Sequence, residues 1–103
     1  ARFGLDVAVE RVGRWEPVPP NPRFRDAISD AAADLGLSAM ELPSGAGHDA
    51  QALAPITPIG MVFVPSVGGV SHDPSERTKW EDCVNGANVL LGATVRLARA
   101  LGA

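Results

Sequence analysis

The stretch GMVFVPSVGGVSHDPSE, residues 60–76, decides how this chain is expected to fold. Residues 61–64 form a short apolar run, rich in β-branched and aromatic side chains and ended by a proline, which is typical of a buried strand. The glycine pair 68–69 allows a tight turn, and His72 follows before a strongly helical pattern. In open α/β sheets, ligands bind beyond the carboxyl ends of the strands. We therefore expect His72 to lie in a ligand-binding loop.

A second glycine-rich loop carries the other histidine of the chain. The sequence SGAGHDA, residues 44–50, follows a predicted strand at residues 37–42 and precedes a short predicted helix at residues 51–54. His48 therefore also lies beyond the carboxyl end of a strand, so both histidines are expected on one face of the sheet. Neither histidine has a His, Cys or carboxylate partner at a compact zinc-binding spacing, and spacing alone does not indicate a metal site.

Two longer segments have the apolar periodicity of amphipathic helices. The first is predicted over residues 22–35, with Asn21 as its N-cap and Gly36 as its C-terminal stop. The second is predicted over residues 77–101, and the sequence TKWE at residues 78–81 fits a capping box at its start.

The order of predicted elements indicates the fold class. Alternating apolar residues predict a half-buried strand at residues 3–12, and four prolines within residues 17–22 predict a stiff linker. A lone strand cannot satisfy its backbone hydrogen bonds, so this strand joins the main sheet or belongs to another domain. Strand, linker, helix, strand, helix, strand, helix is typical of an α/β fold, with helices packed on a mostly parallel sheet.

Composition excludes several classes of protein. The chain has 103 residues, a net charge of −3 and no basic patch, so nucleic acid is not an expected partner. No apolar run approaches the roughly 20 residues that a membrane helix needs, and the start does not resemble a signal segment. The single cysteine, Cys83, excludes an internal disulfide and fits a reducing cytoplasm, where we expect the protein to be located.

Acidic residues lie close to both histidines in the sequence. Either Asp49 or Glu76 can hold the second nitrogen of an imidazole and fix its tautomer. Each can equally be an acidic residue that complements the dipole at a helix N-terminus. The sequence leaves both interpretations open.

Three motifs together carry a family resemblance. Residues 44–50, 60–66 and 69–76 resemble, in order and spacing, the C-terminal part of the N-carbamoyl-L-amino-acid hydrolase, β-ureidopropionase and allantoate amidohydrolase group. This group is one of the M20-type two-metal amidohydrolases and peptidases. The resemblance covers essentially the whole chain, but only the last part of such an enzyme.

The resemblance implies a domain organisation. Residues 1–16 would be the last strand of a lid domain that mediates dimerisation, and residues 17–22 would be the hinge. Residues 23–103 would be the C-terminal part of the catalytic domain, a phosphorylase/hydrolase-like zinc-peptidase α/β domain in which the segment contributes to a β-α-β-α-β-α pattern.

The resemblance also implies roles for individual residues. His72 matches the C-terminal metal-binding histidine, and His48 matches a histidine that contacts the substrate and helps to stabilise the oxyanion. Gly47 would lie beside His48 at the substrate, and Asp49 and Glu76 would support the two histidines. Two divalent metals would be bound, with zinc expected first and manganese, cobalt or nickel as alternatives. The other ligands and the glutamate base lie upstream in the family.

The implied reaction is metal-assisted hydrolysis of the carbamoyl or ureido C–N bond in N-carbamoyl amino acids or similar ureido acids. The complete enzyme would act on a small molecule and form a homodimer. One alternative is a non-catalytic segment that functions only with its missing half, or as an assembly domain. Another is a related M20-type peptidase or aminoacylase. With one candidate ligand and no base, the 103-residue chain alone is not expected to be active.

Overall fold

The computed structural model describes residues 2–102. Its regular elements are helix α1 (Pro22–Asp34), helix α2 (Asp49–Leu53), a 3-10 turn (Val67–Gly69) and helix α3 (Trp80–Ala100). Helices α1 and α3 pack against each other and form the centre of the molecule. No helix in the described part of the chain is long and apolar enough to cross a membrane.

Local sequence sets both ends of α1. Asn21 is extended and its Oδ1 accepts the backbone N–H of Arg23 at 3.0 Å, while Pro22 occupies the first helical position. Such a cap contributes about 1 kcal/mol because it satisfies an amide that has no partner within the helix. After Leu35, Gly36 adopts φ +67°, which a glycine accepts without steric cost. The predicted helix at residues 22–35 is confirmed to within one residue.

The start of α3 differs from the predicted capping box. The N-cap is Lys79, whose carbonyl oxygen accepts the N–H groups of Asp82 and Cys83, and no side chain caps the helix. The helix thus begins one residue later than it would with Thr78 as the N-cap. The Thr78 hydroxyl therefore does not cap the free N–H groups of the first helical turn. Instead, Glu81 and Asp82 in the first turn complement the helix dipole.

Small side chains let α1 and α3 approach closely. The buried core consists of three alanines of α1 together with one valine and one alanine of α3: Ala27, Ala31, Ala32, Val89 and Ala93. A Cβ added to Gly92 would lie 3.1 Å from the Cβ of Ala31, so these helices have little room for a larger residue. Ile28, Leu37, Val62 and Leu97 are partly buried around this core.

The predicted sheet is not observed. Residues 2–102 contain no strand, although strands were predicted at residues 3–12, 37–42 and 61–64. A strand exists only where a neighbour satisfies its backbone hydrogen bonds, and these three segments do not pair with one another in the described chain. The mostly parallel sheet, and with it the β-α-β-α-β-α pattern, is therefore not confirmed, whereas the helices are.

The third of these segments nevertheless lies on the helix pair, as a central strand would. Ile59 accepts the N–H of Asn21 through its carbonyl oxygen at 2.8 Å. A Cβ on Gly60 would lie 2.9 Å from Phe24 Cβ, and Val62 packs on the core. Contacts of this partly exposed apolar segment with α1 and α3 fix where the loop after it emerges.

The N-terminal segment extends away from the helices. Phe3, Leu5, Val7 and Val9 are between 64% and 90% exposed. The radius of gyration is 18.4 Å, against about 13 Å for a compact chain of this length. Close to the linker, the Gln51 side-chain amide donates a hydrogen bond to the Glu16 carbonyl oxygen at 3.0 Å. The division into residues 1–16, 17–22 and 23–103 remains a prediction, and its end residues 1 and 103 lie outside the described residues.

Candidate functional site

His48 is held at the start of α2 by a serine and a phenylalanine. Its Nε2 lies 2.6 Å from Ser44 Oγ, and Ser44 Oγ also accepts the N–H of Ala46 at 3.3 Å. The imidazole is half-buried and meets the Phe63 ring edge-on, with ring centroids 5.6 Å apart and an interplanar angle of 65°. This T-shaped contact is a favourable geometry for aromatic rings, so two contacts restrict the orientation of the imidazole.

His72 lies in an exposed turn with an unusual backbone conformation. Its φ of +58° is the only positive φ of a non-glycine residue in the described chain. A left-handed conformation at a residue with a Cβ costs of order 1–3 kcal/mol and persists only where surrounding contacts hold it. Here the His72 N–H donates to Glu76 Oε2 at 3.0 Å, and the ring Nδ1 lies 2.8 Å from Ser71 Oγ.

Asp73 locks the same turn from the other side. Its Oδ1 accepts the hydroxyl of Ser75 at 2.6 Å and the N–H of Ser75 at 2.9 Å. These two bonds, the hydroxyl bond first, lower the pKa of the Asp73 carboxyl below its ordinary value of 3.8, while desolvation opposes them. The carboxylate is therefore charged at neutral pH and holds residues 73–75 in a tight turn.

An open cleft brings the two histidine loops together. It has a volume of about 540 Å³ and is lined by residues of both loops and of the segment between them: Leu42, Pro43, Ser44, Gly45, Ala46, Phe63, Ser71 and His72. A smaller cavity of about 200 Å³ contains His48 in its wall and shares Pro43, Ser44 and Ala46 with the cleft. The Ser44–Ala46 turn thus separates the two spaces, with His72 on one side and His48 on the other.

The structure reassigns the acidic residues that the sequence singled out. Glu76 contacts the backbone N–H of His72 and not its ring, and exposed Asp49 opens α2 without a hydrogen bond to either imidazole. Gly47 is exposed and does not line the cleft. The ring nitrogens are instead paired with Ser44 and Ser71, which sequence reasoning missed. The sequence does contain a signal for both pairs, since Ser44 lies four residues before His48 and Ser71 lies one residue before His72.

The residues of this chain do not form a complete metal site. Residues 2–102 contain no group of three or more His, Cys, Asp or Glu side chains that could hold a metal ion. Zinc sites use three or four protein ligands, so the predicted two-metal centre does not fit these residues alone. His72 does fit a single ligand position, because the residue is exposed and Ser71 contacts Nδ1 and not Nε2.

Comparison with known proteins gives one family and several relatives. Residues 6–96 match the model of peptidase family M20/M25/M40. The chain is 40% identical over 97 residues to an N-carbamoyl-L-amino-acid amidohydrolase from Rhizobium meliloti. It is 44% identical over 93 residues to one from Geobacillus stearothermophilus and 40% identical over 95 residues to an allantoate amidohydrolase from Bacillus subtilis.

These matches cover most of this chain but a small part of each relative. The three relatives are matched over 94%, 90% and 92% of this chain, and over 23% of their own length. A solved structure described as an amidohydrolase/peptidase from Burkholderia cenocepacia is 47% identical, with a TM-score of 0.76 over 84% of this chain and 21% of that one. The resemblance drawn from the three motifs is confirmed.

Proposed function

This chain belongs to peptidase family M20/M25/M40, and from that premise we propose that it is part of an amidohydrolase acting on carbamoyl or ureido groups. The proposed reaction is hydrolysis of the C–N bond in N-carbamoyl amino acids or similar ureido acids. The names of three relatives support this substrate class. The observation that carries the proposal is the cleft that joins His72 to the glycine turn preceding His48.

We assign His72 the role of a metal ligand. The imidazole is exposed at the cleft, and Ser71 occupies Nδ1, so Nε2 is the nitrogen available for coordination. A divalent metal in such a centre polarises a carbonyl group and lowers the pKa of a bound water. The other ligands would come from outside residues 2–102, because the described residues hold no group of three.

We assign His48 the role of substrate contact. A neutral imidazole donates a hydrogen bond through one nitrogen, and such a donor stabilises the oxyanion that forms when an amide is attacked. The ring is already restrained by Ser44 and Phe63, so little freedom is lost when the substrate binds. Gly47 next to it lies outside the cleft lining but is exposed and has no side chain, so a substrate bound at His48 could approach its backbone.

Two substitutions in a full-length protein that contains this chain test these roles. His72→Ala should abolish activity and lower the bound metal, measured by elemental analysis of the purified protein. His48→Ala should lower kcat by about 100-fold while the metal content stays unchanged, as expected for loss of one oxyanion donor. Unchanged metal content in His72→Ala, or metal loss in His48→Ala, would show that the two roles are misassigned.

We propose further that the isolated chain is inactive, because it contributes one metal ligand and no complete site. Activity would then appear only together with the rest of a family protein, as a homodimer in the cytoplasm. Hydrolysis assays with an N-carbamoyl, an N-acetyl and a dipeptide substrate would separate this function from that of an aminoacylase or peptidase. Turnover of the dipeptide in preference to the N-carbamoyl substrate would contradict the proposal.

A further inference from the structure

We propose that Ser44 is a positioning residue for His48, whose hydroxyl donates to Nε2 and keeps the imidazole proton on Nδ1. The hydrogen-bond geometry carries this inference independently of any activity. Its catalytic consequence rests on the proposed function, in which His48 donates a hydrogen bond to the substrate.

A second hydrogen bond to the same hydroxyl is compatible with donation from Ser44 to His48. Ser44 Oγ accepts the N–H of Ala46 at 3.3 Å, and it lies 2.6 Å from His48 Nε2. A hydroxyl group has one hydrogen and two lone pairs, so Ser44 Oγ can accept the amide and donate to Nε2 at the same time, and this is the direction that we infer. Nε2 then acts through its lone pair. A neutral imidazole whose Nε2 accepts must carry its proton on Nδ1.

The backbone around His48 is fixed as well as the ring. The His48 carbonyl oxygen accepts the N–H of Gln51 at 3.0 Å, which anchors the residue at the first turn of α2. Phe63 meets the ring edge-on at 5.6 Å. With the backbone anchored and the ring in contact with Phe63, the Ser44 contact restricts the remaining rotation of the imidazole. Loss of the hydroxyl would free both the rotation and the tautomer.

The tautomer matters for the proposed chemistry because the two ring nitrogens have opposite hydrogen-bonding character. A nitrogen that carries hydrogen stabilises a developing oxyanion, whereas a nitrogen lone pair repels it. A serine hydroxyl fixes the tautomer without placing a second charge beside the ring. The carboxylate partner that the sequence offered as one possibility is not observed in the described chain, and a serine would perform the orienting part of its role.

The tautomer can be measured directly by NMR on the ¹⁵N-labelled 103-residue chain, which has two histidines. We expect the His48 ring ¹⁵N shifts to show the Nδ1–H form in the majority. In Ser44→Ala the ratio of Nδ1–H to Nε2–H should fall by about two- to tenfold, the effect of one neutral hydrogen bond. Ser44→Thr, which keeps the hydroxyl, should retain the ratio. An Nε2–H majority in the wild-type chain overturns the proposal without any variant.

Ser71→Ala is the matched control, since it deletes the same hydroxyl beside the other histidine. It should change the His72 ring shifts and leave those of His48 unaltered. The methyl signals of Ala31 and Ala93 report whether each variant keeps the α1–α3 core. An unchanged His48 ratio in a folded Ser44→Ala chain would also refute the positioning role.

An activity measurement separates this inference from the proposed function. In a full-length protein that contains this chain, Ser44→Ala should lower kcat about tenfold with KM little changed, and Ser44→Thr should restore it. If the tautomer shifts in Ser44→Ala but kcat does not fall, the substrate role of His48 is wrong and the positioning of its ring stands.

Discussion

Serine hydroxyls, and not carboxylates, meet the ring of each histidine. Ser44 contacts His48 and Ser71 contacts His72, while Glu76 holds the His72 backbone in its left-handed conformation. The His72 backbone is thus strained, and a carboxylate acceptor from the same turn supports it. This arrangement aims the imidazole into the cleft from a loop of only a few residues.

Replacement of Glu76 tests whether its carboxylate maintains this conformation. Glu76→Ala removes the acceptor of the His72 N–H, and amide hydrogen exchange at His72 should accelerate about fivefold. Glu76→Gln keeps an acceptor oxygen and should accelerate exchange less. The Gln51 amide, bonded to the His48 carbonyl oxygen, is an internal control that should not change. Equal exchange rates at His72 in the wild-type and Glu76→Ala chains would disprove the contact's importance.

At the scale of the elements, close approach between backbones decides the packing. Gly92 of α3 lies against Ala31 of α1, and Gly60 lies against Phe24. Gly86 of α3 lies against Val64, so the apolar segment before the His72 loop rests directly on the helix. Glycine costs about 1 kcal/mol of helix stability relative to alanine, and its presence within α3 is explained by these contacts.

Gly86→Ala tests this explanation. The added methyl would overlap Val64 Cγ1, and a β-branched side chain has few alternative rotamers. Overpacking of this kind costs about 1–3 kcal/mol, which exceeds the gain in helix propensity, so thermal unfolding should show a lower Tm.

A double-mutant cycle isolates the steric contact. In a Val64→Ala background the obstacle is absent, and Gly86→Ala should then raise the free energy of unfolding by up to about 1 kcal/mol. The same destabilisation in both backgrounds would mean that Val64 is not the neighbour that requires a glycine.

At the scale of the whole molecule, the chain divides into a helix pair with its covering loops and a segment that contacts little else. Residues 3–12 expose apolar side chains that a strand would bury. Burying a Val or Leu side chain stabilises a protein by about 1.5–3 kcal/mol relative to leaving it in water. The exposed row of apolar residues therefore lacks this stabilisation. We expect this segment to be covered by another part of the polypeptide in a full-length protein.

Limited proteolysis distinguishes the two regions. Trypsin should cut first after Arg11 and Arg14, which lie in the segment outside the regular elements. Arg96 is half-buried within α3 and forms an ion pair with Asp34 of α1, so cleavage there requires the helix to open. Mass spectrometry of early products gives the order of cuts. Cleavage after Arg96 as fast as after Arg11 would contradict the stability of the helix pair.

Features that depend on neighbouring residues could be predicted from the sequence. The ends of α1 at Asn21 and Gly36, the presence of α3 and the glycine turns follow from caps, periodicity and φ preferences within a few residues. The three motifs also identified the family, because their residue types and spacing are specific and need no coordinates.

Features that depend on distant or competing partners could be established only from the folded chain. Strand formation requires a neighbouring strand, so an apolar pattern at residues 61–64 could not establish a sheet. The choice of Ser44 over Asp49 as the partner of His48 depends on the path of a loop. The start of α3 at Trp80 likewise depends on where the preceding loop delivers the chain. Local residue preferences determine helix ends and turns. Strand pairing and side-chain hydrogen bonds depend instead on which groups the fold brings close together.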